Sequence, residues 1–357
     1  MKEIVLTVNG PGELNGLIFP LVKALRRQYP QALYTLYVVP CQFSAGTEAA
    51  AAQASGLFDR VFSVREYRKY IFRRTWPDNY QPAAAGIVFY GGGDSWHAYR
   101  LAKKYKFALY GYDEGKVTHK RWFKKLFSRD ADGNLMVDAA LEKKLAYQNT
   151  TLASGLMTVG LYPGSRLKHL RALVPFFSEA AALLSEKYPA LNFRWGIKPE
   201  LRRPAERDFP QRFPAPYEKE NEKYDLIISI TGTNTALNAA LGIPLLILLP
   251  FNYPELVPFS GLTGLLSELP VFGRPLKKLL IKLAARRLPF ISIPNIKAGR
   301  KIAPELIGVL TPQQVAAAAE KILLDSEARR KMHEELPRAI GRPGAQKIAA
   351  YFQEILR

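Results

Sequence analysis

The segment Gly160-Leu161-Tyr162-Pro163-Gly164-Ser165-Arg166 is the clearest indication of the fold in this sequence. It closes an apolar run at 156–161 with a proline-glycine turn, and a long amphipathic helical pattern follows at 170–188. Strand, tight turn and helix in this order are the repeating unit of a parallel sheet with crossover helices. Polar side chains in such a turn lie beyond the carboxyl end of a strand, where open α/β sheets bind ligands.

The same alternation continues on both sides of this stretch, which predicts an α/β fold with two Rossmann-like halves. At 357 residues the chain is too long for one ordinary core, and the polar segment 141–154 separates the halves. We therefore expect one domain at 1–150, a second at 151–340 and a terminal helix at 341–357. Strands are predicted at 4–8, 33–39, 86–90, 107–110, 156–161, 192–196, 225–229, 245–249 and, more weakly, 290–293. Helices are predicted at 17–28, 98–104, 170–188, 233–241, 315–324 and 344–356.

Composition points to an ordinary globular protein in a reducing compartment. Apolar residues make up 48% of the chain and charged residues 23%, and Cys41 is its single cysteine. The chain starts directly with a strand pattern and shows no signal-peptide pattern. Its most apolar run, 241–251, contains Pro244 and Pro250 and is shorter than the roughly 20 residues that span a bilayer. These features predict a cytoplasmic location.

A net charge of +20 predicts an anionic partner: nucleic acid, acidic phospholipid or a phosphorylated small molecule. Cations alternate with aromatic and aliphatic residues at 64–74, 119–127 and 275–287. If helical, such segments suit the surface of an anionic membrane, although each can equally be a surface helix whose apolar face covers the core. No zinc-finger spacing or other DNA-binding signature is present, so the pattern favours a membrane surface over nucleic acid.

Two turns provide groups that hold phosphate without a metal. Arg166, after Gly164 and Ser165, can form a bidentate pair with a diphosphate. Thr231-Gly232-Thr233 opens a predicted helix, where hydroxyls and backbone N–H groups can bind phosphate oxygens. The alternatives are a surface arginine after a turn and an ordinary helix cap.

The loop from Pro294 to Leu306 gathers polar groups between two prolines, Pro294 and Pro304. It offers Asn295 and Arg300 as contacts for a phosphate or a sugar. Glu305 is either a hydrogen-bond acceptor for the ligand or a structural partner of a cation. This set of side chains is suited to binding a sugar nucleotide.

Together these segments resemble lipid-A-disaccharide synthase, with the similarity nearly continuous over 292–306. The family's Leu-Pro-Gly-Ser-Arg matches the turn that ends at Arg166, and Gly133–Asp138 and Arg342–Ala345 match two further motifs. The resemblance implies a GT-B fold with two Rossmann-like domains facing a central cleft. It implies transfer of an acylated glucosamine from UDP to an acylated glucosamine 1-phosphate with inversion. It also implies an enzyme without a cofactor, a peripheral position on the inner face of the cell membrane, and a homodimer.

Inverting transfer needs a general base that removes the acceptor hydroxyl's proton. Asp94, in Gly91-Gly92-Gly93-Asp94, is the first candidate, Glu13 the second and His97 the third; Asp94 is otherwise a helix N-cap. On the acceptor side, Gly10, Gly12 and Asn15 belong to the loop after the first strand, and Gly93 allows close approach of a substrate.

The chain departs from the family at two places, and these keep two alternatives open. The first loop reads Pro-Gly-Glu-Leu-Asn where the family has approximately Gly-Glu-x-Ser-Gly-Asp. Asn238, which precedes Ala239, replaces the glutamate that precedes alanine in the family's Gly-Thr-x-x-x-Glu-Ala. The alternatives are a glycosyltransferase for another lipid acceptor, such as diacylglycerol or a peptidoglycan precursor, and a non-catalytic membrane-surface relative. The sequence offers no convincing metal site, because Asp130-Ala131-Asp132 reads as a solvated turn.

Overall fold

The computed structural model describes residues 2–40, 46–71, 76, 80–115, 117–151, 156–208, 216–253 and 289–356. It divides into two compact units, one of Met1–Ala139 with Gly341–Arg357 and one of Ala140–Ile340. The sequence prediction placed the boundary at 150 and left 341–357 as a separate helix. In the structure the boundary comes earlier, and the terminal segment belongs to the first unit.

The first unit is built on a six-stranded sheet in the order β3-β2-β1-β4-β5-β6, with all pairs parallel. The predicted strands β1, β2, β4 and β5 are confirmed, whereas β3 and β6 escaped prediction because they are short and carry charged residues. The strands are β1 Lys2–Val8, β2 Leu33–Val38, β3 Arg60–Phe62, β4 Ala85–Tyr90, β5 Ala108–Asp113 and β6 Lys125–Ser128.

Helices connect these strands, and the first of them is irregular. A π-helical turn at Leu14–Ile18 joins α1 to α2, so the helix predicted at 17–28 starts earlier than its apolar pattern indicates. The helices of this part of the chain are α1 Pro11–Glu13, α2 Phe19–Gln28, α3 Glu48–Ala54, α4 Val64–Ile71, α5 Ser95–Tyr105, α6 Arg129–Asp132 and α7 Leu135–Leu141.

The second unit has a five-stranded sheet in the order β13-β12-β11-β8-β9, again with parallel pairs. Beside it β7 and β10 form a two-stranded parallel sheet. The strands are β7 Ala146–Tyr147, β8 Thr158–Tyr162, β9 Asn192–Trp195, β10 Lys223–Tyr224, β11 Leu226–Ile230, β12 Leu245–Pro250 and β13 Glu305–Gly308. The helices, numbered over the described residues, are α8 Leu167–Lys187, α9 Pro199–Asp208, α10 Thr233–Ala240, α11 Ile293–Ala298, α12 Pro312–Leu324 and α13 Ser326–Ile340.

The weak strand predicted at 290–293 is wrong, because α11 begins at Ile293. The N–H groups of Ile291 and Ser292 donate to the carboxylate of Glu305 instead of to a neighbouring strand. Pro294 occupies the first turn of α11, a position that suits proline. The Glu305 side chain thus accepts the backbone hydrogen bonds that a neighbouring strand would otherwise accept.

The last two helices, α14 Ala345–Tyr351 and α15 Gln353–Leu356, complete the first unit. The Asp138 carboxylate accepts from the N–H groups of Gly344 and Ala345 at 2.7 and 3.1 Å and so caps α14. The Asn134 N–H donates to the Arg342 carbonyl at 2.7 Å. Two motifs that carried the family resemblance, residues 133–138 and 342–345, thus hold each other; we call them the terminal clasp.

Phe352 follows the clasp and packs into the first unit's core. It is fully buried, and its ring lies 6.3 Å from Phe89, 5.0 Å from Tyr110 and 5.8 Å from Phe127, measured between ring centroids. Tyr29, the C-cap residue of α2, donates from its hydroxyl to the Ala349 carbonyl at 2.9 Å. The terminal helices are therefore part of the core.

Gly133→Ala is expected to destabilise the clasp strongly. Gly133 has φ +100°, and an added Cβ would lie 2.5 Å from the Pro343 carbonyl oxygen. Backbone strain and this overlap together predict a loss of about 2–4 kcal/mol in the free energy of unfolding. Gly115→Ala is the matched control, because Gly115 has φ +90° and open space around its Cβ position. Equal shifts of the urea midpoint in the two variants would refute the role of the overlap.

The segments proposed for a membrane surface are placed differently from one another. In the described part of 64–74, Tyr67 and Ile71 are buried in the core, which fits a surface helix covering that core. The segment 119–127 forms a 3₁₀ turn at Lys120–Trp122 and then β6. The segment 275–287 and Cys41 lie outside the described residues. Within the described ranges, no helix has both the length and the apolar character needed to cross a bilayer.

Candidate functional site

In the first unit, the loops after β1 and β4 lie at the switch point of the sheet. β1 lies between β2 and β4. The chain extends the sheet on one side of β1 with β2 and β3 and on the other side with β4, β5 and β6, which makes β1 the point where the strand order reverses. A Cβ added to Gly92 would lie 2.8 Å from Cγ of Glu13, and one added to Gly93 would lie 3.0 Å from Cβ of Asn9. The glycines therefore let the two loops touch. The contacts shown are those of Gly92 with Glu13 and Asn9, of Gly93 with Asn9, and of Gly10 with Glu13.

The two carboxylates predicted as bases have different surroundings within this unit. Asp94 is exposed and caps α5, accepting the N–H of Trp96 at 2.9 Å. Glu13 is partly buried in the first turn of the irregular helix, where Asn15 donates from Nδ2 to the Pro11 carbonyl at 2.7 Å. Asp94 therefore caps α5, as the alternative interpretation held. Its carboxylate has a second oxygen that the cap does not use.

The second unit has an equivalent switch point between β8 and β11. Gly164 follows β8 with φ +116°, and a Cβ added there would lie 2.9 Å from Cδ1 of Ile230, at the end of β11. The turn at Ser165 and Arg166 therefore lies beside the turn at Thr231. Arg166 is partly exposed at the N-cap position of α8. We call these adjacent turns, residues 163–166 and 231–233, the paired turns.

The helix after the second of these turns begins without a side-chain cap. Its N-cap residue, Gly232, is exposed with φ +146° and provides no side-chain cap. The Thr235 hydroxyl donates to the Gly232 carbonyl at 2.6 Å, which fixes the turn. An open helix N-terminus carries partial positive charge and favours an anion. Thr231 and Thr233 are partly exposed next to it.

Behind the first turn, Tyr162 is anchored by a carboxylate that sequence reasoning missed. The hydroxyls of Tyr162 and Tyr224 both donate to Glu218, the second at 2.9 Å. Lys143 Nζ lies 5.8 Å from the centroid of the Tyr162 ring. Burial lowers the pKa of Lys143, and the Glu218 carboxylate opposes that shift. Glu218 sits in a charged stretch, 218–223, that has no local signal for such a role.

Asn238, which replaces the family's glutamate, lies on α10 and is fully buried. Neither atom of its side-chain amide has a hydrogen-bond partner among the residues that the structure describes. A buried amide without partners is costly, since each unmet group loses its hydration.

Asn295 and Glu305 hold their own loop. Asn295 is fully buried; its Nδ2 donates to the Ala303 carbonyl and to Glu305, each at 2.8 Å, and its Oδ1 accepts from the N–H groups of Ile302 and Ala303. Its amide has no remaining hydrogen-bonding capacity. In this conformation Asn295 supports the loop and does not offer a ligand contact.

Arg300 points to another partner. Arg300 Nη1 lies 2.9 Å from a carboxylate oxygen of Glu335 in an exposed ion pair. The hydrogen bond to Glu335 raises the pKa of the Arg300 guanidinium. Exposed pairs of this kind contribute little stability. The residues of the 294–306 loop are therefore not gathered into one ligand contact surface.

No group of three or more potential metal ligands of the His, Cys, Asp and Glu types occurs within the described ranges. Asp132, from the predicted solvated turn, is mostly buried and accepts the N–H of Ser128 at 2.9 Å. The turn prediction is corrected to the short helix α6, which Ser128 caps.

Solved structures with this architecture define the fold class. A putative UDP-N-acetylglucosamine 2-epimerase from Listeria monocytogenes aligns with TM-score 0.54 and 14% identity over 98% of this chain and 94% of that one. Acinetobacter baumannii MurG aligns with TM-score 0.54 and 12% identity over 99% of this chain and 100% of that one. The chain has the GT-B fold of two Rossmann-like domains, as the sequence predicted.

Sequence comparison adds the family resemblance. The lipid-A-disaccharide synthase of Syntrophotalea carbinolica is 28% identical over 211 residues, 56% of this chain and 48% of its own length. That of Erwinia tasmaniensis is 30% identical over 205 residues, 55% of this chain and 49% of its own. The chain spans about half the length of these curated relatives, and no family model matches it. The predicted resemblance is confirmed: over a little more than half of its length the chain is similar to lipid-A-disaccharide synthases.

Proposed function

We propose that this protein is a UDP-sugar-dependent hexosyltransferase like lipid-A-disaccharide synthase. It transfers an acylated glucosamine from UDP to an acylated glucosamine 1-phosphate, with inversion. The observation that carries the proposal is the paired turns at the β8/β11 switch point, one of which contains Arg166 while the other contains Gly232, the N-cap residue of α10. This combination suits the diphosphate of a nucleotide sugar and requires no cofactor.

The donor half works by neutralising the leaving group. As the glycosidic bond to UDP breaks, negative charge grows on the diphosphate. The Arg166 guanidinium and the first N–H groups of α10, flanked by Thr231 and Thr233, stabilise that charge where it develops. Asn295 and Glu305 act indirectly, since they fix the backbone of the 294–306 loop. Asn238 is assigned to the nucleotide by resemblance alone.

The acceptor half supplies the base. Asp94, or Glu13 in the neighbouring loop, removes the proton from the acceptor hydroxyl as it attacks the anomeric carbon. Both lie at the carboxyl edge of the first unit's sheet, where ligands of α/β folds bind. The partners we propose are a lipid acceptor, the anionic inner face of the cell membrane and a second copy of the chain in a homodimer.

A second candidate is transfer to another lipid acceptor, such as diacylglycerol or a peptidoglycan precursor. The altered loop at Gly10–Gly16 favours it, because that loop forms part of the acceptor-side edge. A non-catalytic relative that binds the membrane surface is the third candidate, and the buried Asn238 motivates it.

Mass spectrometry of reaction products tests the proposal. Purified protein is mixed with UDP-2,3-diacylglucosamine and 2,3-diacylglucosamine 1-phosphate, and a disaccharide 1-phosphate with release of UDP is expected. UDP binding without product from this acceptor would favour the second candidate, which diacylglycerol and peptidoglycan-precursor acceptors then test. Liposome binding without turnover of any acceptor would favour the third.

Arg166→Ala is expected to weaken UDP binding about 10- to 100-fold, as loss of a charged hydrogen bond of about 1.5–3 kcal/mol predicts. Arg171→Ala is the control, because Arg171 lies on α8 outside the paired turns, where it forms an ion pair with Asp208 at 2.8 Å. Isothermal titration with UDP measures both. Equal affinities in the two variants would remove Arg166 from the donor site.

A further inference from the structure

His97 and Tyr67 form a hydrogen bond near the acceptor-side edge of the first unit. The Tyr67 hydroxyl lies 2.6 Å from Nδ1 of His97, and the rings meet edge to face with centroids 5.2 Å apart. Tyr67 lies on α4 and is 1% exposed, whereas His97 is half-buried in the first turn of α5. The N–H of His97 also donates to the Asp94 carbonyl at 3.1 Å. The imidazole is thus fixed close to the predicted base.

This contact decides which imidazole nitrogen carries the proton. Among the residues that the structure describes, Nδ1 of His97 is the hydrogen-bond partner of the buried Tyr67 hydroxyl. If Nδ1 carried the proton, it would donate to Tyr67, and the phenolic O–H would be left buried without an acceptor, at a cost of about 1–3 kcal/mol. Tyr67 therefore donates to Nδ1, and the neutral ring carries its proton on Nε2. No described residue forms a hydrogen bond with Nε2.

The surroundings also keep His97 neutral. Burial lowers its pKa from the ordinary value of 6.5, and the Asp94 carboxylate opposes this only in part. Burial raises the pKa of Tyr67 well above that of a free tyrosine, with Arg100 of α5 opposing and Asp94 and Tyr37 of β2 adding to the rise. Tyr67 thus stays protonated and His97 stays uncharged near pH 7. Protonation of Nδ1 would reverse this hydrogen bond and leave the Tyr67 hydroxyl proton without an acceptor.

We propose that His97 is a neutral hydrogen-bond donor to an oxygen of the acceptor sugar phosphate, that Tyr67 positions it, and that His97 is not the general base. The inference rests on the proposed function for the identity of the acceptor. A ring whose Nε2 carries a proton has no lone pair there with which to remove another. The remaining candidates for the base are the carboxylates of Asp94 and Glu13, and His97 orients the substrate beside them.

The tautomer can be measured directly. Long-range ¹H–¹⁵N spectra of the full-length protein at pH 7 report which imidazole nitrogen is protonated, and the chain's other three histidines are separated by comparison with His97→Asn. We expect Nε2–H for His97. In Tyr67→Phe we expect the preference for this tautomer to fall and the pKa of His97 to rise. A signal from Nδ1–H in the wild type, or an unchanged tautomer ratio in Tyr67→Phe, would overturn the proposal.

Binding is tested in the same spectra. Adding 2,3-diacylglucosamine 1-phosphate in detergent micelles, without a donor, is expected to shift the Nε2 resonance of His97. Where turnover is observed, His97→Asn keeps an acceptor for Tyr67 but lacks the Nε2 donor, so KM for the acceptor is expected to rise about 10-fold; His97→Gln, with an amide N–H near that position, restores it in part.

The two ideas fail separately. An unmoved resonance together with measurable turnover would sink the role of His97 and leave the glycosyltransferase standing. A shifted resonance without product would support the role of His97 and contradict the proposed transfer reaction.

Discussion

Asp94→Asn is expected to reduce kcat about 10²- to 10⁴-fold, the usual contribution of a general base. The substitution removes the basic oxygen but preserves the fold, because asparagine is as good an N-cap as aspartate. Its side-chain oxygen can still accept the Trp96 N–H that Asp94 accepts at 2.9 Å. The thermal midpoint is therefore expected to stay within about 2 °C of the wild type. Single-turnover kinetics with bound donor measure the chemical step.

Glu13→Gln provides the comparison, since Glu13 is the other carboxylate at the same edge. If Asp94→Asn retains full activity while Glu13→Gln loses it, the base is Glu13 and Asp94 is only a cap. If neither variant loses activity, the assignment of the base to this edge is wrong. Asp94→Ser separates the two roles further, because serine caps the helix but cannot act as a base near pH 7.

Asn295→Ala is expected to cost about 3–5 kcal/mol in the free energy of unfolding. The change deletes an amide that both donates and accepts within the 294–306 loop. It leaves the N–H groups of Ile302 and Ala303 buried without their acceptor, and each unsatisfied group costs about 1–3 kcal/mol. Chemical denaturation followed by circular dichroism measures the loss.

Arg300→Ala is the matched control from the same loop. Arg300 forms an exposed pair with Glu335, so its removal is expected to change stability by less than about 1 kcal/mol. A stable Asn295→Ala protein with weakened UDP binding would contradict the supporting role and return Asn295 to the donor site. Comparable stability losses in the two variants would show that the loop is held by something other than the Asn295 amide.

The sequence predicted the central strands because their burial leaves a readable pattern. β4, β8, β11 and β12 are apolar runs that end at glycine, proline or threonine turns, so both the strands and the loops at their carboxyl ends could be located. Arg60–Phe62 and Lys125–Ser128 are edge-region strands too short and too charged for such a pattern.

Side-chain partners over long chain distances could not be predicted. Asn295 in a glycine-containing polar loop is compatible with a ligand contact or a loop support, and only the positions of Ile302, Ala303 and Glu305 distinguish them. The Tyr67–His97 bond joins residues 30 positions apart through the packing of two helices. For the same reason, the motif residues 133–138 and 342–345 were visible in the sequence, but their mutual contact was not.

Because the first unit includes the C-terminal segment, it cannot finish folding until the whole chain has been synthesised. A ribosome makes the first unit's sheet early, yet Phe352, which covers Phe89, Tyr110 and Phe127, emerges after the whole second unit has been translated. During that interval the nascent sheet keeps an uncovered aromatic surface, a feature that favours aggregation or chaperone binding. The first unit, whose synthesis starts first, is thus the last to complete its core.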